Sequence, residues 1–66
     1  MPRLTQDFSS AAIARAFYDT ETQELEIVFT SGRGYTYNNV PENIWESLCS
    51  ARSAGSYFAS NIKDRY

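Results

Sequence analysis

Hydrophobic and polar positions begin to alternate only after residue 9. Residues 1–9 read as a polar, flexible N-terminal lead-in, and residues 10–66 as a single domain. Three strand-like runs follow the lead-in. The first is Ile13–Tyr18. A polar loop, Asp19-Thr20-Glu21-Thr22-Gln23, opens with a residue suited to turns. The second run is Glu24–Thr30, where Leu25, Ile27 and Phe29 alternate with Glu24, Glu26 and Val28, the period of a half-buried strand. After a turn at Ser31-Gly32 the third run, Gly34–Asn38, carries Tyr35 and Tyr37 on one face.

Which face those tyrosines take depends on the hairpin, because a one-residue slip inverts every side chain. A two-residue loop, Ser31-Gly32, pairs Val28 with Tyr35 and turns the tyrosines outward with the glutamates. A three-residue loop, Thr30-Ser31-Gly32, with Gly32 left-handed, pairs Ile27 with Tyr35 and Leu25 with Tyr37. It turns both rings to the core face. Two-residue turns prefer Asn-Gly, Asp-Gly or a leading Gly, so the three-residue loop is favoured. In the first hairpin Tyr18 pairs with Leu25 and Ala16 with Ile27. The core face then carries Ala14, Ala16, Tyr18, Leu25, Ile27, Phe29, Tyr35 and Tyr37. The open face carries Arg15, Phe17, Glu26, Val28 and Thr36, with Phe17 as an exposed aromatic.

The period then changes. Pro41 suits the first turn of a helix, and Glu42 sits where the helix dipole favours an acid. Ile44, Trp45, Leu48 and Cys49 give a buried stripe at helical spacing. Ser53 reads as the N-cap of a second helix, Ala54–Asp64, with Tyr57, Phe58, Asn61 and Ile62 on one face. The predicted fold is α+β: a three-stranded antiparallel meander followed by two helices packed on one sheet face, β-β-β-α-α.

At 66 residues the chain buries about 60% of its unfolded surface, which limits stability to about 3–10 kcal/mol. Deep catalytic pockets are hard to build in so little core, so a binding module is expected rather than an enzyme. Ten aromatics in 66 residues supply buried area economically. The lone Cys49 cannot form an intramolecular disulfide, which fits a reducing, cytoplasmic setting. No run is long enough to span a membrane and no signal core opens the chain. With no histidine there is no His-based acid/base pair or His metal site, and no cofactor is expected.

Net charge is −2 and unevenly spread: +1 over residues 1–18, −5 over 19–46 and +2 over 47–66. Six basic residues spread along the chain cannot supply the six or more phosphate contacts of strong non-specific nucleic-acid binding. A local basic patch at the C-terminal end remains available.

The chain resembles the KTSC domain, the family named for the C-terminal domain of some lysyl-tRNA synthetases. The resemblance runs over residues 9–66. It rests on Tyr18-Asp19, Glu21-Thr22, Leu25 with Phe29, Gly32, Tyr35-Thr36-Tyr37, Val40-Pro41, Leu48, Ser53 with Gly55, Tyr57-Phe58, Ile62 and Tyr66. Phe17 departs from the small residue, often glycine, expected there. The resemblance implies a domain found alone in bacterial and phage proteins or appended to a synthetase, and that context suggests RNA binding.

Two functional readings follow. In the first, the chain binds RNA of a tRNA-like kind. Arg33, Tyr35 and Tyr37 form a stacking platform for unpaired bases. Arg52, Ser53, Gly55 and Tyr57 offer a helix N-terminus to a phosphate, and Asn61, Lys63 and Arg65 form a basic end beside Tyr66. The plainer explanations are rings packed under the helices, a capped helix start with Gly55 allowing close packing, and a solvated terminus. In the second reading Phe17 and Val28 anchor a protein partner or a second copy on the open sheet face. A monomer is favoured.

Overall fold

A computed structural model describes residues 3–63, 65 and 66. Its elements, in order, are β1 (Arg3–Asp7), β2 (Ile13–Asp19), β3 (Glu24–Phe29), β4 (Gly34–Tyr37), α1 (Glu42–Ser50) and α2 (Ala54–Asn61). The strands form one antiparallel sheet in the order β1-β2-β3-β4. The α+β class and the two helices are as expected, but the sheet has four strands rather than three. The segment read as a flexible lead-in is, over Arg3–Asp7, strand β1. It escapes periodicity because every one of its residues is exposed, even its single large apolar residue, Leu4. It is an edge strand made by backbone pairing with β2, from Arg3 opposite Asp19 to Asp7 opposite Arg15.

The hairpin between β3 and β4 takes the three-residue loop. Gly32 has φ +96°, its N–H donates to the Phe29 carbonyl at 2.9 Å, and the Phe29 N–H donates to the Arg33 carbonyl at 2.8 Å. Ile27 therefore lies opposite Tyr35 and Leu25 opposite Tyr37. The β2–β3 hairpin also has the expected register, Tyr18 with Leu25 and Ala16 with Ile27. Its far end differs. Ile13 pairs with Phe29 and Arg15 with Val28, so Ala14 is a bulge residue. Ile13, not Ala14, takes the fully buried position on the core face.

The Asp19–Gln23 turn is closed by Asp19. Its Oδ1 accepts from the N–H groups of Glu21 (2.9 Å) and Thr22 (3.2 Å), and its carbonyl from Gln23 (2.8 Å). The Gln23 carbonyl then receives the Val40 N–H at 3.0 Å, which ties this turn to the entry of α1. Pro41 is the residue before the helix rather than its first turn, and Glu42 begins it. Ser53 caps α2 as expected, its hydroxyl accepting from the Ser56 N–H at 3.3 Å. α2 ends at Asn61; the end expected at Asp64 lies outside the described residues.

Both helices lie on the face of the sheet that carries Tyr18, Leu25 and Ile27. The core joins Ile13, Ala16, Tyr18, Leu25 and Ile27 to Val40, Trp45, Leu48, Ala54, Phe58 and Ile62. At its centre the Tyr18 ring stacks on Trp45, with centroids 5.5 Å apart and planes 10° apart. The phenol of Tyr18 donates to the Val40 carbonyl at 2.5 Å. Burial pushes the Tyr18 phenol above its ordinary pKa, and the carboxylates of Glu42 and Asp19 add to the shift.

Two stability experiments follow. At Gly32 an added Cβ meets nothing within 4 Å, so the cost of Gly32→Ala is one of backbone conformation alone. It should destabilise the domain by about 1–2 kcal/mol, and Gly32→Asn by less. An unchanged melting temperature for Gly32→Ala would contradict the turn described. For Tyr18, the folded state keeps the phenolic proton at a pH where the unfolded chain releases it. Stability is thus full below about pH 10 and falls as pH rises toward the higher folded value. Tyr18→Phe should cost about 1–3 kcal/mol at neutral pH, through the unsatisfied Val40 carbonyl. It should also flatten the alkaline limb of a denaturation-against-pH curve, and an identical limb in the variant would refute this assignment.

Candidate functional site

The four aromatic residues at the β4 side of the core meet edge to face. Phe29 touches Tyr35 (centroids 5.6 Å) and Phe58 (5.4 Å), and Tyr37 touches Phe58 (5.7 Å). Register fixes this cluster: Tyr35 and Tyr37 alternate on the face of β4 that looks toward the helices, and Phe58 hangs from the buried side of α2. Phe58 is buried, Tyr37 is half-buried, and Tyr35 is 47% exposed. The expectation that both tyrosines pack under the helices therefore holds for Tyr37 in part and fails for Tyr35. Tyr35 sits on the last strand of the sheet, beyond the cover that Phe58 provides.

The result is an open cleft of about 460 Å³ lined by Phe29, Tyr35, Tyr37, Phe58, Lys63 and Tyr66. Tyr66 is 41% exposed. Of the residues the sequence singled out for RNA, this cleft unites Tyr35, Tyr37 and Lys63. Arg33 ends the hairpin that leads into β4, and the exposed Arg65 adjoins Tyr66. Phe29, a core-face position of β3, and Phe58, on the packed face of α2, also line the cleft, a part that the sequence does not announce. The β3 period and the Tyr57-Phe58 pair carry the rings, but the position of α2 along the sheet is not in them.

Arg52 and Ser53 line a different, mostly polar cleft of about 450 Å³, together with Asp7, Phe8, Ser9, Ser10, Cys49 and Ala54. This cleft takes Ala54 from the first turn of α2 and Arg52 and Ser53 from before it, whereas the aromatic cleft takes Phe58 from α2 and Lys63 and Tyr66 from beyond its end. Gly55 has a packing role: a Cβ there would stand 3.3 Å from the Ala12 Cβ and 3.5 Å from the Ser10 Oγ. Tyr57 is half-buried against the core, and the Asn61 side-chain amide donates back to the Tyr57 carbonyl at 3.2 Å. Burial pushes the Cys49 thiol above its ordinary pKa, and Glu46 raises it further. The thiol is protonated at neutral pH and a poor nucleophile.

The open sheet face differs from its reading as a surface with an exposed aromatic. Strand β1 brings Arg3 across it. The Arg3 guanidinium lies 4.9 Å from the Phe17 ring centroid and donates to Glu26 at 2.9 Å. Arg15 pairs with Asp7 at 2.6 Å. Phe17 and Val28 are both half-buried rather than exposed. Among the described residues no group of three His, Cys, Asp or Glu side chains is placed to hold a metal, and no helix is long and apolar enough to cross a membrane.

Comparison with known proteins matches the geometry to a family. The KTSC domain model matches residues 9–66. A protein of Tsukamurella paurometabola is 36% identical over 61 residues, covering 92% of this chain and 91% of its own length. A lysine–tRNA ligase of Trichormus variabilis is 41% identical over 49 residues, which are 74% of this chain and 9% of the ligase. The crystal structure of a KTSC domain protein from Yersinia pestis superposes with a TM-score of 0.90 at 34% identity, covering 97% of this chain and 90% of that one. The match of residues 9–66, with this shared architecture, shows that the chain belongs to the KTSC domain family.

Proposed function

We propose that this domain is a small, non-catalytic RNA-binding module of the cytoplasm, acting through the aromatic cleft at the β4 edge. The observation that carries the reading is the pairing of exposed aromatic faces with a cation in one groove. Exposed Tyr35 and Tyr66 line it together with Phe29, the buried Phe58 and Lys63. Unpaired bases stack on aromatic rings at about 1–3 kcal/mol each, and a nearby cation takes the phosphate. A lysine–tRNA ligase that carries a similar segment in 9% of its length gives this chemistry a tRNA context. The alternative, a protein partner docked on Phe17 and Val28, has less support, because Arg3 covers Phe17 and ion pairs cross that face.

The test is an NMR titration of labelled protein with tRNA and with a short single-stranded RNA, at low and at physiological salt. Shifts are expected at Tyr35, Phe58, Lys63 and Tyr66, weakening as salt rises. Tyr35→Ala should weaken binding by about 1–3 kcal/mol. Absence of shifts at low salt, where electrostatic attraction is strongest, would overturn the reading.

A further inference from the structure

Resting on that reading, we infer that the ligand is a short unpaired stretch of nucleotides gripped through no more than three phosphates, and that the domain rejects duplex RNA. Three observations carry the inference. The first is the shape and chemistry of the cleft. Five of its six lining residues are aromatic, Phe29, Tyr35, Tyr37, Phe58 and Tyr66, and a base can stack on such rings only when it is out of a helical stack.

The second is the supply of cations. Arg3 and Arg15 are engaged with Glu26 and Asp7 on the far face of the sheet. Arg52 lines the cleft at the other end of α2. This leaves Lys63 in the cleft wall, with Arg33 at the start of the β4 edge and Arg65 beside Tyr66.

The third is what lies across the edge strand. Glu26 points to the opposite face of the sheet, and its Oε2 stands 3.8 Å from where a Gly34 Cβ would be. Asp19 and Glu24 share that face with Glu26 in a single groove around Phe17, where the lining cation, Arg3, is already paired with Glu26. A duplex that extended across β4 would bring its second phosphate strand toward a face that carries three carboxylates and one arginine. A single strand fits on the cleft side alone.

The charge arithmetic gives a number to measure. Each phosphate neutralised on a single strand contributes about −0.7 to the slope of log K against log salt, so three give a slope no steeper than about −2. Calorimetry or NMR titration with uridine oligonucleotides of two, four and eight residues, and with a blunt RNA duplex, reads this directly. Affinity should rise from two to four residues and gain little at eight beyond the statistical factor. The duplex should bind at least ten-fold more weakly than the four-residue strand. Lys63→Gln should make the slope shallower by about 0.7, Tyr66→Ala should lose about ten-fold in affinity or more, and Arg52→Ala should change neither. Duplex binding equal to single-strand binding, or a slope well beyond −2, would overturn this inference and leave RNA binding standing. Failure of every oligonucleotide to bind at low salt would overturn both.

Discussion

The docking of Tyr18 against Trp45 and the Val40 carbonyl holds the rest of this small domain in place. One side chain of the second strand meets the only tryptophan, on α1, by stacking, and meets the turn before α1 by a buried hydrogen bond. A core of this size has few alternatives. Without the phenol, the Val40 carbonyl would be a buried acceptor without its partner, and the approach of α1 to the sheet would rest on apolar contact alone. The Gln23 carbonyl fixes the same residue from its N–H side, so the first hairpin and the entry to the helices are joined at Val40 from two directions.

From that anchor the site follows as geometry. Trp45 holds α1 against Tyr18 of the sheet, and α2 turns Ala54 and Phe58 inward, with Ile62 buried just past its end. Phe58 then lands on Phe29 and Tyr37, and the helix layer stops short of Tyr35. The cleft is the margin of the core, the place where aromatic packing begun inside continues into solvent. The ion pairs across the other face are exposed and contribute little to stability, about 0–1 kcal/mol each. Their effect is to occupy Arg3 and Arg15 away from the cleft.

Much of this was legible in the residues because local rules and burial agreed. Ser31-Gly32 cannot supply a favoured two-residue turn, so the three-residue loop and its register followed, and with them the faces of Tyr35 and Tyr37. The Ser53 cap and the Trp45–Leu48 stripe were equally local. The missed parts are those that local rules do not encode. Strand β1 buries no alternating side chain, so no period marks it, and only the free edge of β2 makes it a strand. The bulge at Ala14 moves Ile13 into the core through a pairing irregularity with β3 that composition does not announce. Arg3 over Phe17 depends on β1, so the open face was misread for the same reason. The cleft depends on how far α2 reaches along the sheet, a tertiary distance set by packing.

The Tyr18–Trp45 stack also determines what light can report about this protein. The single indole is 5% exposed and sits against a phenol in the centre of the core. The rings at the cleft are phenylalanines and tyrosines. Tryptophan emission is therefore a gauge of whether the sheet and α1 are docked. A shift of its emission to longer wavelength on heating or in denaturant would mark the moment that stack opens, so one intrinsic probe placed by the fold reads the integrity of the contact on which the fold depends.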